Sequence, residues 1–111
     1  MRQNKRKRRA KAKQALKLAE IRWALVSAGC DTVAKQAAVL RLGRSSAWAL
    51  LHLNKRAGPS AIVIKRILSS PKLPLRARQK VEQYVKDKAR GLYGHSEQRT
   101  RAFRDQFLAL T

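Results

Sequence analysis

Apolar residues recur along this chain at three- and four-residue steps, in stretches separated by short polar or glycine-containing segments. This spacing is typical of amphipathic helices rather than strands. The first stretch runs from residue 14 to residue 29, where Gly29 supplies a C-terminal stop. Its predicted buried stripe consists of Leu18, Ile21, Leu25 and Ala28.

The remainder of the chain predicts further helices joined by short loops. Asp31 or Thr32 can cap the second helix, Ser60 the fourth and Ser96 the last. The predicted segments after the first are residues 33 to 40, 44 to 53, 61 to 70, 75 to 90 and 97 to 110. The predicted apolar side is Leu75, Val81, Tyr84 and Val85 in the fifth helix, and Ala102, Phe103, Phe107 and Leu110 in the sixth. The pattern therefore predicts an all-α fold, a small helical domain of five or six helices.

One of these segments, residues 61 to 70, has two interpretations. The β-branched run Ile62-Val63-Ile64 favours a strand. The capping residue Ser60 and the helical spacing of Ile64, Ile67 and Leu68 favour a helix. We expect a helix, because no other segment has the pattern of a strand that could pair with it.

The net charge limits the possible functions of the protein more than any other feature of the sequence. The 111 residues include 27 Lys and Arg against six acids, a formal net charge of +21. Such an excess indicates a polyanionic partner, nucleic acid first and an anionic membrane surface second. No apolar run reaches the roughly 20 residues of a membrane span, so we expect no membrane-embedded segment.

The sequence gives little indication of a disulfide, a metal site or a catalytic site. Cys30 is the only cysteine, so an intramolecular disulfide cannot form. The two histidines lie far apart in sequence, which predicts no metal site. The six acids are scattered, and neither a catalytic triad nor a glycine-rich phosphate loop is visible. We therefore expect neither an enzyme nor a cofactor.

The N-terminal residues 1 to 13 contain eight basic residues and no acid. Because like charges at this density oppose ordering, this segment is predicted to be a flexible arm, followed by a single helical domain at residues 14 to 111. The arm is a candidate for tracking DNA phosphates or the minor groove. A solvated tail or a localisation signal is the alternative.

Residues 33 to 53 have the pattern of a helix-turn-helix. Ala37 is the small residue where two helices cross, Leu40 packs from the first helix and Leu42 follows the turn. Ala47, Leu50 and Leu51 then point inwards from the second helix. The outward face, which a major groove would meet, consists of Arg44, Ser45, Trp48, Ala49 and His52.

A competing register places Gly43 at the turn position where glycine is common. That register would bury Arg44 and His52, which is costly without partners. The chosen register instead puts Arg41 at the turn, where a left-handed backbone costs a non-glycine residue about 1 kcal/mol. We keep the register with Arg41 in the turn.

The segment TVAKQAAVLRLGRSSAWALLHL, residues 32 to 53, resembles the DNA-reading headpiece of LacI-type repressors. Its LGRSSAWALL portion is also similar to small AlpA-type phage regulators, and PLRARQKVEQYVKDKARGLY resembles the third helix of the headpiece. The resemblance implies a first cap at Thr32 and a reading helix containing SAWALLH. The chain departs from the family at Arg41 and Gly43, where Gly and Ser are common, and by the extra residues 54 to 73.

Further cations are candidate phosphate contacts, with a solvated surface as the alternative interpretation. Together with Ser46, the predicted phosphate-binding set is Lys5, Arg6, Lys7, Arg8, Arg9, Arg41, Lys55, Arg56, Lys65 and Arg66. Arg44 is the strongest candidate for base reading. Trp48 either faces DNA or packs in the core, with the core slightly favoured, and Trp23 is expected in the core.

These features predict a sequence-specific double-stranded DNA-binding protein, a transcriptional regulator of bacterial or phage type. The expected location is the cytoplasm at the nucleoid, or the nucleus in a eukaryote. A basic RNA-binding or ribosome-associated protein is the alternative, although few aromatics are available for stacking on bases. A module that binds a protein partner is a third class. Residues 97 to 110 are a candidate surface for a homodimer.

Overall fold

The computed structural model describes residues 2–53, 55 and 57–110, with side chains from residue 6 onwards within those ranges. This part of the chain forms helices and contains no strand. The helices are α1 (Arg2–Ser27), α2 (Val33–Leu40), α3 (Arg44–His52), α4 (Ala61–Leu68), α5 (Leu75–Ala89) and α6 (Glu97–Ala109). The all-α prediction is therefore confirmed, and the run Ile62-Val63-Ile64 is helical.

Three predicted caps stabilise helix starts, because each side chain accepts a hydrogen bond from a backbone amide of the first turn. Thr32 rather than Asp31 caps α2. The pairs of cap and donor amide are Thr32 with Lys35, Ser60 with Val63, and Ser96 with Arg99. Short connections between well-defined helix ends hold neighbouring helices in fixed relative positions.

Helix α1 is central to the fold because it packs against both α5 and α3. Its buried side presents Leu18, Ile21 and Leu25 to the core, as predicted. Helices α4 and α6 pack on each other and on α5, and α2 packs on α3 and α4. The core residues from the later helices include Ile64, Ile67, Val81, Tyr84 and Phe103.

The N-terminal segment differs from its prediction as a flexible arm. Helix α1 begins at Arg2 and continues to Ser27, so residues 2 to 13 extend the same helix that carries the core stripe. The segment consists mainly of Lys and Arg with two Ala, all of which are strong helix formers, and repulsion between neighbouring cations costs only a few tenths of a kcal/mol per pair. A turn also packs on it, since a β-carbon on Gly94 would lie 3.0 Å from Cβ of Ala10.

Several apolar residues lie on the solvent side, contrary to expectation. Trp23 is 53% exposed and shares the outer face of α1 with Leu16 and Val26. Because apolar residues recur at helical spacing on two faces of α1, periodicity alone does not show which face packs. The other residues that were predicted to be buried and are exposed are Ala28, Leu75, Ala102 and Leu110.

Candidate nucleic-acid interface

A three-residue turn joins α2 to α3 and sets the direction of α3. Arg41 adopts the left-handed conformation, with φ 58° and ψ 41°. The amide of Leu42 donates to the carbonyl of Ala37 over 3.0 Å. The Arg41 guanidinium donates to the Ser69 hydroxyl over 3.2 Å, which ties the turn to the end of α4. The turn therefore has the register in which Arg41, not Gly43, takes the left-handed position.

Helix α3 is fixed to the core by one side and leaves the other side exposed. Ala47 is fully buried and Leu51 is 5% exposed, while Leu42 and Leu50 pack partly against the same core. The sequence pattern predicts that these same residues face the core. The outward residues Arg44, Ser45, Trp48 and His52 are exposed, and Ala49 is half-buried at the edge.

Trp48 and His52 form an exposed aromatic pair on this side. Their rings stack with centroids 5.1 Å apart, and Trp48 is 45% exposed. The preference for Trp48 in the core is therefore wrong, because its partner ring is one turn further along the surface of the same helix. The pair presents two flat rings beside Arg44.

Arg22 of α1 extends the exposed face of α3. Its Nη1 lies 3.2 Å from Nδ1 of His52. Since a guanidinium only donates hydrogen bonds, Arg22 is the donor in this contact and Nδ1 is the acceptor. Arg22 could not be predicted as part of this face, because no local sequence pattern connects residues 30 positions apart.

The loop after α3 is held by a buried polar network that the sequence analysis also missed. Gln14, which is 1% exposed, donates from Nε2 to the carbonyl of Lys55 over 3.1 Å and accepts from the Tyr84 hydroxyl over 3.0 Å. Gly58 has φ +67°, and a β-carbon there would collide with the Tyr84 hydroxyl. A visible signal did exist, since Gln14 lies four residues before Leu18 on the buried stripe of α1.

Lys88 fastens the same loop from the other side. Its ammonium donates to the carbonyls of Ala57 and Pro59 over 2.7 and 3.1 Å. The side chain is buried, with Nζ 4.6 Å from the centre of the Phe103 ring. Burial lowers the pKa of Lys88 to about 8. Together with Gln14, Lys88 positions the chain that leaves α3.

The predicted phosphate contacts fall into separate groups. Arg6, Lys7, Arg8 and Arg9 are exposed on α1, and Ser46, Lys55 and Arg66 are also exposed. The Arg41 guanidinium donates to the Ser69 hydroxyl, which in turn donates to the backbone carbonyl of Arg66. Lys65 is turned towards α6, with Nζ 3.9 Å from the centre of the Phe107 ring, and thus has a packing partner within the fold. Arg56 and the side chain of Lys5 lie outside the described residues.

The electrostatics of α2, α3 and α4 are uniformly positive. Residues 32 to 81 contain no Asp or Glu, so no carboxylate on these helices competes for Arg44 or Arg66. The nearest preceding acid, Asp31, forms an exposed ion pair with Lys35 over 3.2 Å. The Lys35 ammonium lowers the pKa of the Asp31 carboxyl from its ordinary value.

Within the described ranges, no group of three or more His, Cys, Asp and Glu side chains is placed to hold a metal ion. None of the helices described is long and apolar enough to cross a membrane. No protein-family model matches the chain, and neither a curated protein nor a solved structure matches it.

Proposed function

We propose that the protein binds double-stranded DNA and reads its sequence with α3. The observation that carries the proposal is the outward face of α3, where Arg44, Ser45, Trp48 and His52 are exposed while Ala47 and Leu51 fix the opposite face in the core. A rigidly held helix with such a face has the form that enters a major groove.

The side chains on this face suit base edges. Arg44 has the fork that pairs with O6 and N7 of guanine, and Ser45 can donate to or accept from several bases. Ala49 and Trp48 offer apolar contact to thymine methyl groups. Arg41 and Arg66, both exposed, provide charge for the phosphates that flank such a groove.

The net charge of +21 supports a polyanionic partner in general, because phosphate neutralisation supplies most nucleic-acid affinity. The proposal includes a role as a transcriptional regulator of bacterial or phage type at the nucleoid, with a nuclear location in a eukaryote.

The proposal also includes pairing of two copies of the chain through α6, on which Leu108 is 68% exposed. Light scattering of the chain with and without duplex tests the pairing.

One observation favours RNA as a second candidate partner. The exposed stack of Trp48 on His52 is a surface on which an unpaired base can lie. If RNA is the partner, replacing Trp48 with Ala weakens binding more than replacing Arg44 with Ala. If duplex DNA is the partner, the order is reversed.

Competition between duplex DNA and structured RNA for the labelled protein, at two salt concentrations, tests the proposal. We expect duplex DNA to compete better, with affinity falling steeply as salt rises. RNA that competes better at both salt concentrations contradicts DNA binding. A protein complex that forms in its place and is insensitive to salt would support the third class, an interaction module.

A further inference from the structure

A second basic surface lies away from α3, between the N-terminal half of α1 and the start of α6. It is an open cleft of about 420 Å³. Four cations line it: Lys7, Arg8 and Lys11 from α1, and Arg99 from α6. Its remaining wall is the turn at residues 93 to 96. All four cations are exposed.

The wall of this cleft is fixed by packing. Tyr93 is buried, stacks on Tyr84 with ring centres 5.1 Å apart, and donates to the Asp87 carboxylate over 3.1 Å. Gly94, with φ +81°, lies so close to Ala10 that a β-carbon would approach within 3.0 Å. Because the turn packs on α1, the four cations are held around one space by segments that are fixed relative to each other.

The cleft has no carboxylate of its own. The first acid of α6, Glu97, pairs with Arg101 over 3.4 Å and lines a different surface with it. Asp87 accepts from the Tyr93 hydroxyl behind the wall of the cleft. Four cations that line one open space, with no Asp or Glu among its lining residues, form a site for an anion that carries several oxygen acceptors.

Lys11, which lines the cleft, and Arg22, which contacts α3, lie on the same side of α1. Lys11 and Arg22 are 11 residues apart, which in a helix is about 16 Å along the axis and only about 20° around it. Arg22 contacts His52 of α3, whereas Lys17 and Glu20, on the other side of α1, contact Gln83 and Lys80 of α5. A duplex that contacts α3 and runs along α1 would reach the cleft after about five base pairs, at 3.4 Å each.

We infer that this cleft binds a backbone phosphate of the same nucleic acid that α3 contacts, as a second anchor that is independent of sequence. The inference rests on the proposed function for the identity of the partner. It assigns Lys7, Arg8, Lys11 and Arg99 to one phosphate site. It also gives the helical N-terminal half of α1 a fixed role in place of a mobile arm.

Two pairs of arginine substitutions test the site. The double variant Arg8→Gln/Arg99→Gln removes two cations from the cleft, and Arg90→Gln/Arg104→Gln removes two exposed arginines outside it. We expect the cleft variant to lose about tenfold in duplex affinity at 0.1 M salt. The slope of log affinity against log salt should also become shallower by about one to two. Equal effects of the two double variants on affinity and slope would overturn the inference.

A second measurement tests anion binding in the cleft without requiring that the protein bind nucleic acid. Titration with inorganic phosphate, against chloride at equal ionic strength, should shift the amide resonances of Gly94 and Ser96 saturably in the wild type and not in the cleft variant. Absence of these shifts in the wild type contradicts the site. A wild-type chain that binds no duplex contradicts the proposed function, whereas saturable phosphate shifts in that same chain support the cleft by themselves.

Discussion

The Tyr84 hydroxyl donates a hydrogen bond to Oε1 of Gln14 over 3.0 Å, joining α5 to α1 inside the core. Gln14 uses its amide nitrogen for the carbonyl of Lys55, in the loop that follows α3. A bond between two core helices thus determines where the chain leaves the candidate reading helix. The position of α3 depends on this polar pair as well as on the apolar contacts of Ala47 and Leu51.

Replacing Tyr84 with Phe should destabilise the fold by about 1–3 kcal/mol, because the buried hydrogen bond from Tyr84 to Gln14 is lost. Urea unfolding measures the change. The double variant Gln14→Leu/Tyr84→Phe is the control. It should show coupling, with a cost smaller than the sum of the two single substitutions. Additive costs would contradict the pairing.

Replacing Arg41 tests the left-handed turn. Arg41→Gly and Arg41→Ala both remove the bond to Ser69, but only glycine adopts φ near 58° without strain. We expect the glycine variant to be more stable than the alanine variant by about 1 kcal/mol. Thermal unfolding of the two variants measures the difference. An alanine variant as stable as the glycine variant would mean that the turn has another conformation.

Lys88 gives the fold a characteristic pH dependence. Burial lowers its pKa to about 8 in the folded protein, against an ordinary value of 10.5 in the unfolded chain. Between these values the unfolded chain binds more protons, so the contribution of Lys88 to stability rises with pH; below pH 8 both states are protonated and the contribution is constant. Burial raises the pKa of Tyr84 and Tyr93, so their contributions fall only above pH 10.

We compare the free energies of unfolding of the wild type and of Lys88→Met. The wild-type value minus the variant value should rise by about 1–2 kcal/mol between pH 8 and 9.5. The methionine variant has no group to titrate at this position and serves as the baseline. Urea titrations at pH 7, 8 and 9.5 give the values. A difference that stays flat from pH 8 to 9.5, or falls, would contradict the buried position of the ammonium.

The N-terminal half of α1 is tested by proline at an exposed position. Ala12→Pro removes a helical hydrogen bond and collides with the preceding turn, so it should unwind residues 2 to 11. Far-ultraviolet circular dichroism should lose the signal of about ten helical residues. Ala12→Gly is the milder control, with a cost of about 1 kcal/mol. A flexible arm would show the same spectrum in all three proteins.

The sequence predicted the helices, three of their caps and the register of α3. It could do so because these features are local: Thr32, Ser60 and Ser96 act on amides three residues away, and the register follows from the spacing of Leu42, Ala47 and Leu51. The cost of burying Arg44 was enough to choose between two registers.

The features that the sequence did not reveal involve residues distant in the chain. The contacts of Gln14 with Tyr84 and of Arg22 with His52 span 70 and 30 positions. The exposure of Trp23 depends on which of two apolar faces of α1 packs on α5, which periodicity leaves open. The order of residues 2 to 13 depends on a turn at Gly94, more than 80 positions away.

The most direct test of the central claim is the ratio of affinities for a duplex selected from a random pool and for a scrambled duplex. The account predicts that Arg44→Ala lowers this ratio by about tenfold, as expected when an arginine that reads a base is lost. Arg66→Ala, which removes an exposed cation proposed to contact phosphate, should weaken both duplexes alike and leave the ratio unchanged. An unchanged ratio in Arg44→Ala, or equal behaviour of the two variants, would contradict sequence reading by α3.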